Sequence, residues 1–425
     1  MSDAASPLGR TPDGGSESAR PERALRIFLG AFGDPGHAFP MLALGAELAA
    51  RGHEVTYETW TRWRCDVEAA GMRFRAAPEY PVFPTRERPL PRPLGPYEAV
   101  VRATRDTRPA LAETRPDVVV HDILTLAPAL AAELEQVPTA TLVPHVYPVP
   151  QFGQPPYSFG ARPPRTRAGA TLWRAFHRPV RAGLALGRDQ LNEARRRLDL
   201  PALTRLFGGL SERLVLVATL PQLEPPRAWP AHVHVVGPLI WEPPSTPVDP
   251  PPGTGPLILV APSTSQDPEH RLLSAALNGL AREPVRLLAA TNRRAPTRPV
   301  PLGANTRVVD WLSYGETMPG CALVICHAGH GTLARALASS CPVVAVPHVG
   351  DMAENAARLV WAGAGVRLPW QMLTPLTLRH AVRRALARPG LAARAAELGA
   401  WAAAHPGARH AADLVERLAR GGARL

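Results

Sequence analysis

The chain contains no lysine: all 48 of its basic residues are arginine. Its net charge of +12 over 425 residues therefore comes from arginines scattered along the whole length. Proteins that bind nucleic acid gather basic residues into a patch or stripe interleaved with aromatics. Aromatics supply only 6% of this sequence, so no nucleic-acid partner is expected. Arginine without lysine, beside 50 prolines and abundant alanine, reads instead as drift in a GC-rich genome. The four cysteines, Cys65, Cys321, Cys326 and Cys341, form no CxxC pair. A structural zinc site takes four ligands at suitable spacing. Cys321, Cys326 and His327 have no second half to complete one, so the cysteines read as reduced thiols buried in strands. No run of about 18 uninterrupted apolar residues exists to span a bilayer. Residues 1–24 are polar and rich in Gly, Ser and Pro, without the apolar core of a signal peptide. They read as a loose tail on a cytoplasmic protein.

What is present is a regular alternation of short apolar runs and helical patterns, in a chain that is 45% apolar and 20% charged. Leu25–Phe32 reads as a buried strand, GDPGH as a turn, and Met41, Leu44 and Leu48 as one face of a helix ending near Gly52. Strands follow at His53–Trp60, Asp117–Val120, Val137–Val143 and Leu214–Ala218, with an alanine-rich helix at Leu126–Leu134. This rhythm predicts a parallel sheet covered on both faces. Beyond Trp241–Gly255 (WEPPSTPVDPPPGTG), a proline-rich linker, the alternation restarts. Strands are predicted at Leu257–Ala261, Val285–Ala290, Arg307–Val309, Leu323–Cys326 and Val343–Val346, and helices near Glu269–Ala281, His330–Ser339 and Ala353–Ala362. Three more helices close the chain, near Pro375–Ala387, Ala392–Ala404 and Ala408–Ala419. The fold class is α/β: two doubly wound domains, 25–240 and 256–405, joined by a linker at 241–255, with a helix at 406–425. Ligands of such sheets bind beyond the carboxyl ends of the strands, which points to the cleft between the domains.

Two stretches break the rhythm, Tyr80–Pro96 and Pro144–Arg167, both crowded with proline and aromatics. Long irregular insertions are either disordered or functional. On the functional reading, Tyr147, Phe152, Tyr157 and Phe159 line an apolar pocket; the alternative is a proline-rich surface loop.

The most specific stretch is Cys326–Pro347, CHAGHGTLARALASSCPVVAVP. A predicted strand runs directly into His327-Ala-Gly-His-Gly-Thr332, where a helix opens. Gly329 and Gly331 let the backbone approach an anion, and the first amides of the helix point at it. No GxGxxG is present and the turn lies in the second domain, so a nicotinamide dinucleotide site is disfavoured.

HxGxGT, a short helix, an apolar strand, then Asp351 and Asn355 four residues apart resemble the donor-binding region of a known family, although Cys341-Pro342 are adjacent where its pattern is (C/G)xP. It is the inverting glycosyltransferase family that includes macrolide and plant secondary-metabolite enzymes. GDPGHAFPMLALGAELAARGHEVTY (33–57), RPDVVVHD (115–122), VVGPLIWEPP (235–244), RVVDWLSYGETMPGCALVICHAGHGT (307–332) and GDMAENAARLVWAGAGVRL (350–368) extend the resemblance over nearly the whole chain. It implies the GT-B fold, with a small lipophilic acceptor bound by the first domain and a nucleotide-sugar donor by the second. His37, in the loop after the first strand, matches the family's general base, and Asp122 the carboxylate that orients it. The chemistry is sound in itself: an attacking alcohol must shed its proton, and neutral imidazole can take it while a carboxylate steadies the imidazolium formed. His327 matches the histidine at the donor diphosphate, beside the amides of Gly329, Gly331 and Thr332. Trp311 matches the ring that stacks on the nucleobase. Ser263, Thr264 and Ser265 match phosphate-binding hydroxyls, Asp351 the ligand of sugar hydroxyls, and Asn355 the helix position behind it. With charge met by the helix terminus and no DxD pair, neither a metal nor another cofactor is expected. The resemblance also implies that the last helix crosses back onto the first domain. A homodimer is compatible with it.

Three departures matter. Arg335 stands where the family often has a glutamate for the ribose hydroxyls, Met352 where a glutamine meets the sugar, and Trp311-Leu-Ser-Tyr314 where WxPQ is usual. Without that carboxylate and glutamine, a dTDP-deoxysugar is the expected donor. One base and no enzyme nucleophile imply inversion. Two other readings fit parts of the pattern. One is a nucleotide-sugar epimerase or hydrolase on the same fold, disfavoured by the GHAFP opening. The other is a non-catalytic auxiliary protein, motivated by Arg335 and Met352 and disfavoured by His37 and Asp122.

Overall fold

Two parallel sheets, each flanked by helices, account for the chain. The computed structural model describes residues 23–78, 96–263, 267–293, 302–348 and 350–421. The first sheet is built from β1 (Arg26–Gly30), β2 (Glu54–Thr59), β3 (Arg73–Ala76), β4 (Val118–Asp122), β5 (Thr139–Val143), β6 (Leu214–Val217) and β7 (Val233–Val235). Its helices are α1 (Pro35–Ala50), α2 (Arg64–Ala69), α3 (Pro96–Thr114), α4 (Ala127–Leu134), α5 (Arg167–Ala175) and α6 (His177–Arg196). The second sheet comprises β8 (Leu257–Ala261), β9 (Arg286–Ala290), β10 (Thr306–Val309), β11 (Leu323–Cys326), β12 (Val343–Ala345) and β13 (Gly365–Arg367). With it come α7 (Arg271–Leu280), α8 (Tyr314–Thr317), α9 (His330–Ala338), α10 (Met352–Ala362), α11 (Pro375–Leu386) and α12 (Pro389–Ala404), before α13 (Gly407–Ala419).

The strand orders are β3-β2-β1-β4-β5-β6-β7 and β10-β9-β8-β11-β12-β13, and every pairing is parallel. The central strands LILVA, LVIC and LVLV are buried along their whole length. They show no polar alternation because helices cover both faces. Each sheet reverses direction once, between β1 and β4 and between β8 and β11. At such a reversal the loops leaving the two strands diverge and open a crevice.

Helix α13 packs in the first domain's core. Ala411, Ala412, Leu414, Val415 and Leu418 share a buried cluster with Ile27, Met41 and Leu44. Arg51 holds it from outside, through Asp413 at 2.6 Å and Glu416 at 3.0 Å. The chain therefore passes between the domains twice. The passages touch: a Cβ on Gly407 would lie 2.6 Å from the Pro238 carbonyl, so a larger residue there would push them apart.

Four helices of the first domain, α2, α3, α5 and α6, escape the sequence reading. α3 carries an internal proline, Pro109. α5 buries none of its residues and α6 only Leu191, Ala194 and Arg195. Of the cysteines, Cys65 is exposed on α2, while Cys321, Cys326 and Cys341 are buried. Among the described residues no helix is long and apolar enough to cross a membrane.

Candidate active site

The reversal of the first sheet brings His37 and Asp122 together. After β1, Asp34 caps α1 by accepting the Gly36 amide at 3.2 Å, and Pro35 opens the helix. Proline suits this place because the first helical amide needs no partner. His37 consequently lies in the first turn of α1, not in a preceding loop as the sequence suggested. Its Nδ1 is 2.8 Å from Oδ2 of Asp122, the last residue of β4. Asp122 is fully buried at 0% exposure, and its Oδ1 accepts the Leu124 amide at 2.9 Å. A carboxylate so fixed requires the imidazole proton on Nδ1, which leaves Nε2 as the basic nitrogen. Burial opposes charging this ring. The field and hydrogen bond of Asp122 outweigh it, helped by Asp34 and Asp351, so the pKa of His37 is raised.

Phe32 packs edge-on against His37 at 6.2 Å and against Trp60 at 4.8 Å. It is the apolar wall beside His37, and its one sequence signal is an aromatic ending a buried run. Gly33 is obligatory behind it, since a Cβ there would lie 2.1 Å from the Trp60 ring.

The four aromatics assigned to an acceptor pocket do not converge. Tyr147 is buried beside Leu210 and Trp229. The Tyr157 hydroxyl lies 3.2 Å from Nδ1 of His145, and burial, with Asp351 and Glu354 nearby, pushes its pKa up. Tyr147 and Tyr157 share one cavity. Phe152 and Phe159, at 66% and 59% exposure, face outward. Phe152 is drawn there by His177 at the start of α6, 4.6 Å away. His145, stacked on Tyr157 at 5.8 Å, was not singled out from the sequence.

In the second domain the corresponding crevice holds the HAGHGT turn. The chain leaves β11 at Cys326 and turns at Ala328, whose φ of 62° is left-handed. α9 then begins at His330, and its first helical bond runs from the Leu333 amide to the Gly329 carbonyl at 3.0 Å. The amides before Leu333 precede that ladder and are the natural anion donors. A Cβ on Gly329 or Gly331 would meet no atom within 4 Å, so space lies open in front of them. Thr332 is half-buried beside it.

His327 is 2% exposed. Its Nδ1 accepts the Ser263 amide at 3.0 Å, and its Nε2 lies 3.3 Å from Oδ2 of Asp267. Both nitrogens are thus turned on protein groups. Asp267 also accepts the Arg271 and Leu272 amides at the start of α7, each at 3.0 Å. Burial would raise its pKa, but the bonds from His327 and those two amides hold it down at about 2. No local motif singles out Asp267. Thr264 and Ser265 lie outside the described residues.

Asn355 donates to Ala328 O at 3.0 Å and to Asp351 Oδ2 at 2.9 Å, tying α10 to the turn. The charge of Asp351 raises the proton affinity of His37, His145 and His330, which places it near all three rings. His330 crosses the cleft as well, with Nε2 3.3 Å from the Ala218 carbonyl. One face of Trp311 is covered by Arg293, whose guanidinium is 4.7 Å from the ring centre. Met352 is buried. Arg335 turns to the linker, donating to Trp241 O at 2.8 Å, with Glu242 at 3.6 Å. Among the described residues no group of three or more His, Cys, Asp or Glu is placed to hold a metal ion.

Residues 273–418 match the family described as erythromycin biosynthesis protein CIII-like, C-terminal domain. The chain is 30% identical to 4'-demethylrebeccamycin synthase of Lentzea aerocolonigenes over 92% of its own length and 99% of that protein's. It is also 30% identical to O-mycaminosyltylonolide 6-deoxyallosyltransferase of Streptomyces fradiae, over 93% and 98%. The chain belongs to the secondary-metabolite glycosyltransferase family. Its fold is GT-B, shared with the glycosyltransferase VinC, solved in complex with dTDP (TM-score 0.64, 21% identity, 94% and 100% coverage). This glycosyltransferase thus has its two crevices, His37–Asp122 in one and the HAGHGT turn in the other, on opposing domains.

Proposed function

We propose that this glycosyltransferase works with inversion, moving a deoxysugar from a dTDP donor onto a hydroxyl of a small, largely apolar natural product. The His37–Asp122 pair carries the reading. The acceptor hydroxyl gives its proton to Nε2 of His37 as its oxygen attacks the anomeric carbon. The bond to the diphosphate breaks on the opposite face, and Asp122 stabilises the imidazolium. A positioned base supplies about 10²–10⁴-fold, and holding the partners in line up to roughly 7–11 kcal/mol. The diphosphate leaving group is received by the first-turn amides of α9, whose dipole favours its charge. Asp351 binds the sugar, steadied by Asn355.

The dTDP preference is supported at Arg335. Its guanidinium is spent on the linker, and Glu242 beside it is saturated by Ser313, Tyr314 and Gly315. No carboxylate is left there to accept a ribose 2′-hydroxyl. The dTDP bound to VinC and the deoxysugar in the name of the Streptomyces relative point the same way. Thermal-shift titration with dTDP, UDP, GDP and ADP tests the donor; a ligand at about 100 times its Kd adds roughly 2.7 kcal/mol of stability. The largest shift is expected with dTDP. A donor competition won by UDP-glucose over every dTDP-deoxysugar would overturn the preference.

A further inference from the structure

Between the proline-rich segment after β5 and helix α10 lies a small cleft, with room of about 30 Å³, enough for a compact polar group. The first domain contributes Tyr147, Gln154, Tyr157 and Arg227 to its walls; the second contributes Glu354 and Arg358. Most of the charge here is already satisfied. Arg358 donates to Oε1 of Glu354 at 2.8 Å and to Glu224 of the first domain. The other oxygen of Glu224 accepts the Tyr147 amide at 2.6 Å. Arg227 donates to Val149 O at 3.0 Å and stacks on the rings of Tyr147 and Trp229, 4.8 and 5.0 Å away. Two glutamates and two arginines cancel, so the cleft does not demand an ion.

What remains unmet is specific. Glu354 is 6% exposed, yet its Oε2 has no hydrogen-bond partner. Neither have Oε1 of Gln154 and Nε of Arg227, both buried atoms on the same cleft. Buried polar groups are ordinarily paired, and leaving them bare costs free energy. Two vacant acceptors and one vacant donor describe the complement: a group offering hydrogen-bond donors beside one acceptor. A tyrosine wall joins this cleft to the site above, since Tyr157 lines it while its hydroxyl meets His145.

We propose that this cleft binds the far end of the acceptor, and that this end is an uncharged polar group such as a carboxamide. Glu354 and Gln154 take its N–H groups and Arg227 meets its carbonyl. The proposal rests on the glycosyltransferase reading for the word acceptor, but not for the chemistry of the group. It makes Glu354, a residue of the donor domain, a determinant of acceptor choice.

The test is calorimetric titration of the full chain with two probes of matched shape, 6-hydroxy-2-naphthamide and 6-isopropenyl-2-naphthol. Wild type is expected to prefer the carboxamide by about tenfold or more, because a site built for hydrogen bonds rejects an analogue lacking them. Glu354→Gln, which turns an acceptor oxygen into an amide, should bring the ratio to within about twofold. Gln154→Leu, which leaves the Arg358 ion pairs untouched, should reduce it severalfold and keeps the test valid if the first variant folds poorly. dTDP should bind both variants as it binds wild type. Equal binding of the two probes by wild type, or a preference that survives both substitutions, would overturn the proposal. Nucleotide that binds without any such preference removes this inference alone. A preserved preference without nucleotide binding upholds the cleft and removes the donor reading instead.

Discussion

Each sheet places a histidine beside an aspartate at the crevice where its strand order reverses, and the two rings are wired in opposite senses. His37 gives its Nδ1 to buried Asp122 and keeps Nε2 for chemistry; its side chain is 18% exposed. His327 accepts an amide on Nδ1, faces Asp267 with Nε2, and is almost fully enclosed. A base must have one nitrogen to spare, and a positioning residue need not. Under the proposed mechanism the difference favours proton transfer in the first domain. The second histidine then serves to hold the loop whose α9 amides would receive the diphosphate.

The largest effect that could break this contrast is catalytic. His37→Ala should lower kcat by about 10²–10⁴ with little change in dTDP affinity. His327→Ala should act mainly on donor binding, so an equal loss of kcat at saturating donor would erase the distinction. Because His37 must be neutral to accept a proton and its pKa is raised, the acid limb of kcat/KM should lie above the ordinary imidazole value of about 6.5. Asp122→Asn should move that limb down while lowering the rate.

A stability test comes next. Leu414 is fully buried among first-domain residues although it arrives from the far end of the chain. Leu414→Ala should cost about 2–5 kcal/mol in urea unfolding, measured on the first domain's tryptophans. A transition confined to the second domain would contradict the packing of α13. The smallest effect sharpens the role of Asp267. Asp267→Asn should cost roughly 1–3 kcal/mol at neutral pH, since both oxygens now accept amides. The folded pKa of Asp267, about 2, lies below the unfolded value of about 3.9. Its contribution is therefore complete above that value and lost as pH falls toward 2. The variant should lack that segment of acid sensitivity.

Much of this was legible in the residues. Strand Leu323–Cys326 has the same ends in the structure as in the sequence reading, because a continuous apolar run bounded by Ala-Gly is hard to misplace. His37 and Asp122 could be paired in advance only because the segments 33–57 and 115–122 resemble those of a known family. The state of His327 could not. It depends on Asp267, sixty residues earlier in the chain, and on which nitrogen an amide happens to reach. The exposure of Phe152 was not legible for a related reason: it follows from a contact with His177, twenty-five residues later at the start of α6, that no local pattern announces.

The position of α13 also sets an order of events during synthesis. Residues 23–240 leave the ribosome first, but their hydrophobic core includes Leu414, Val415 and Leu418. The first domain must wait, one helix short, while the second is translated and folds. Only when the last turns of the chain emerge does the older half close, so a prematurely stopped polypeptide would carry an exposed seam on the very domain that was made first.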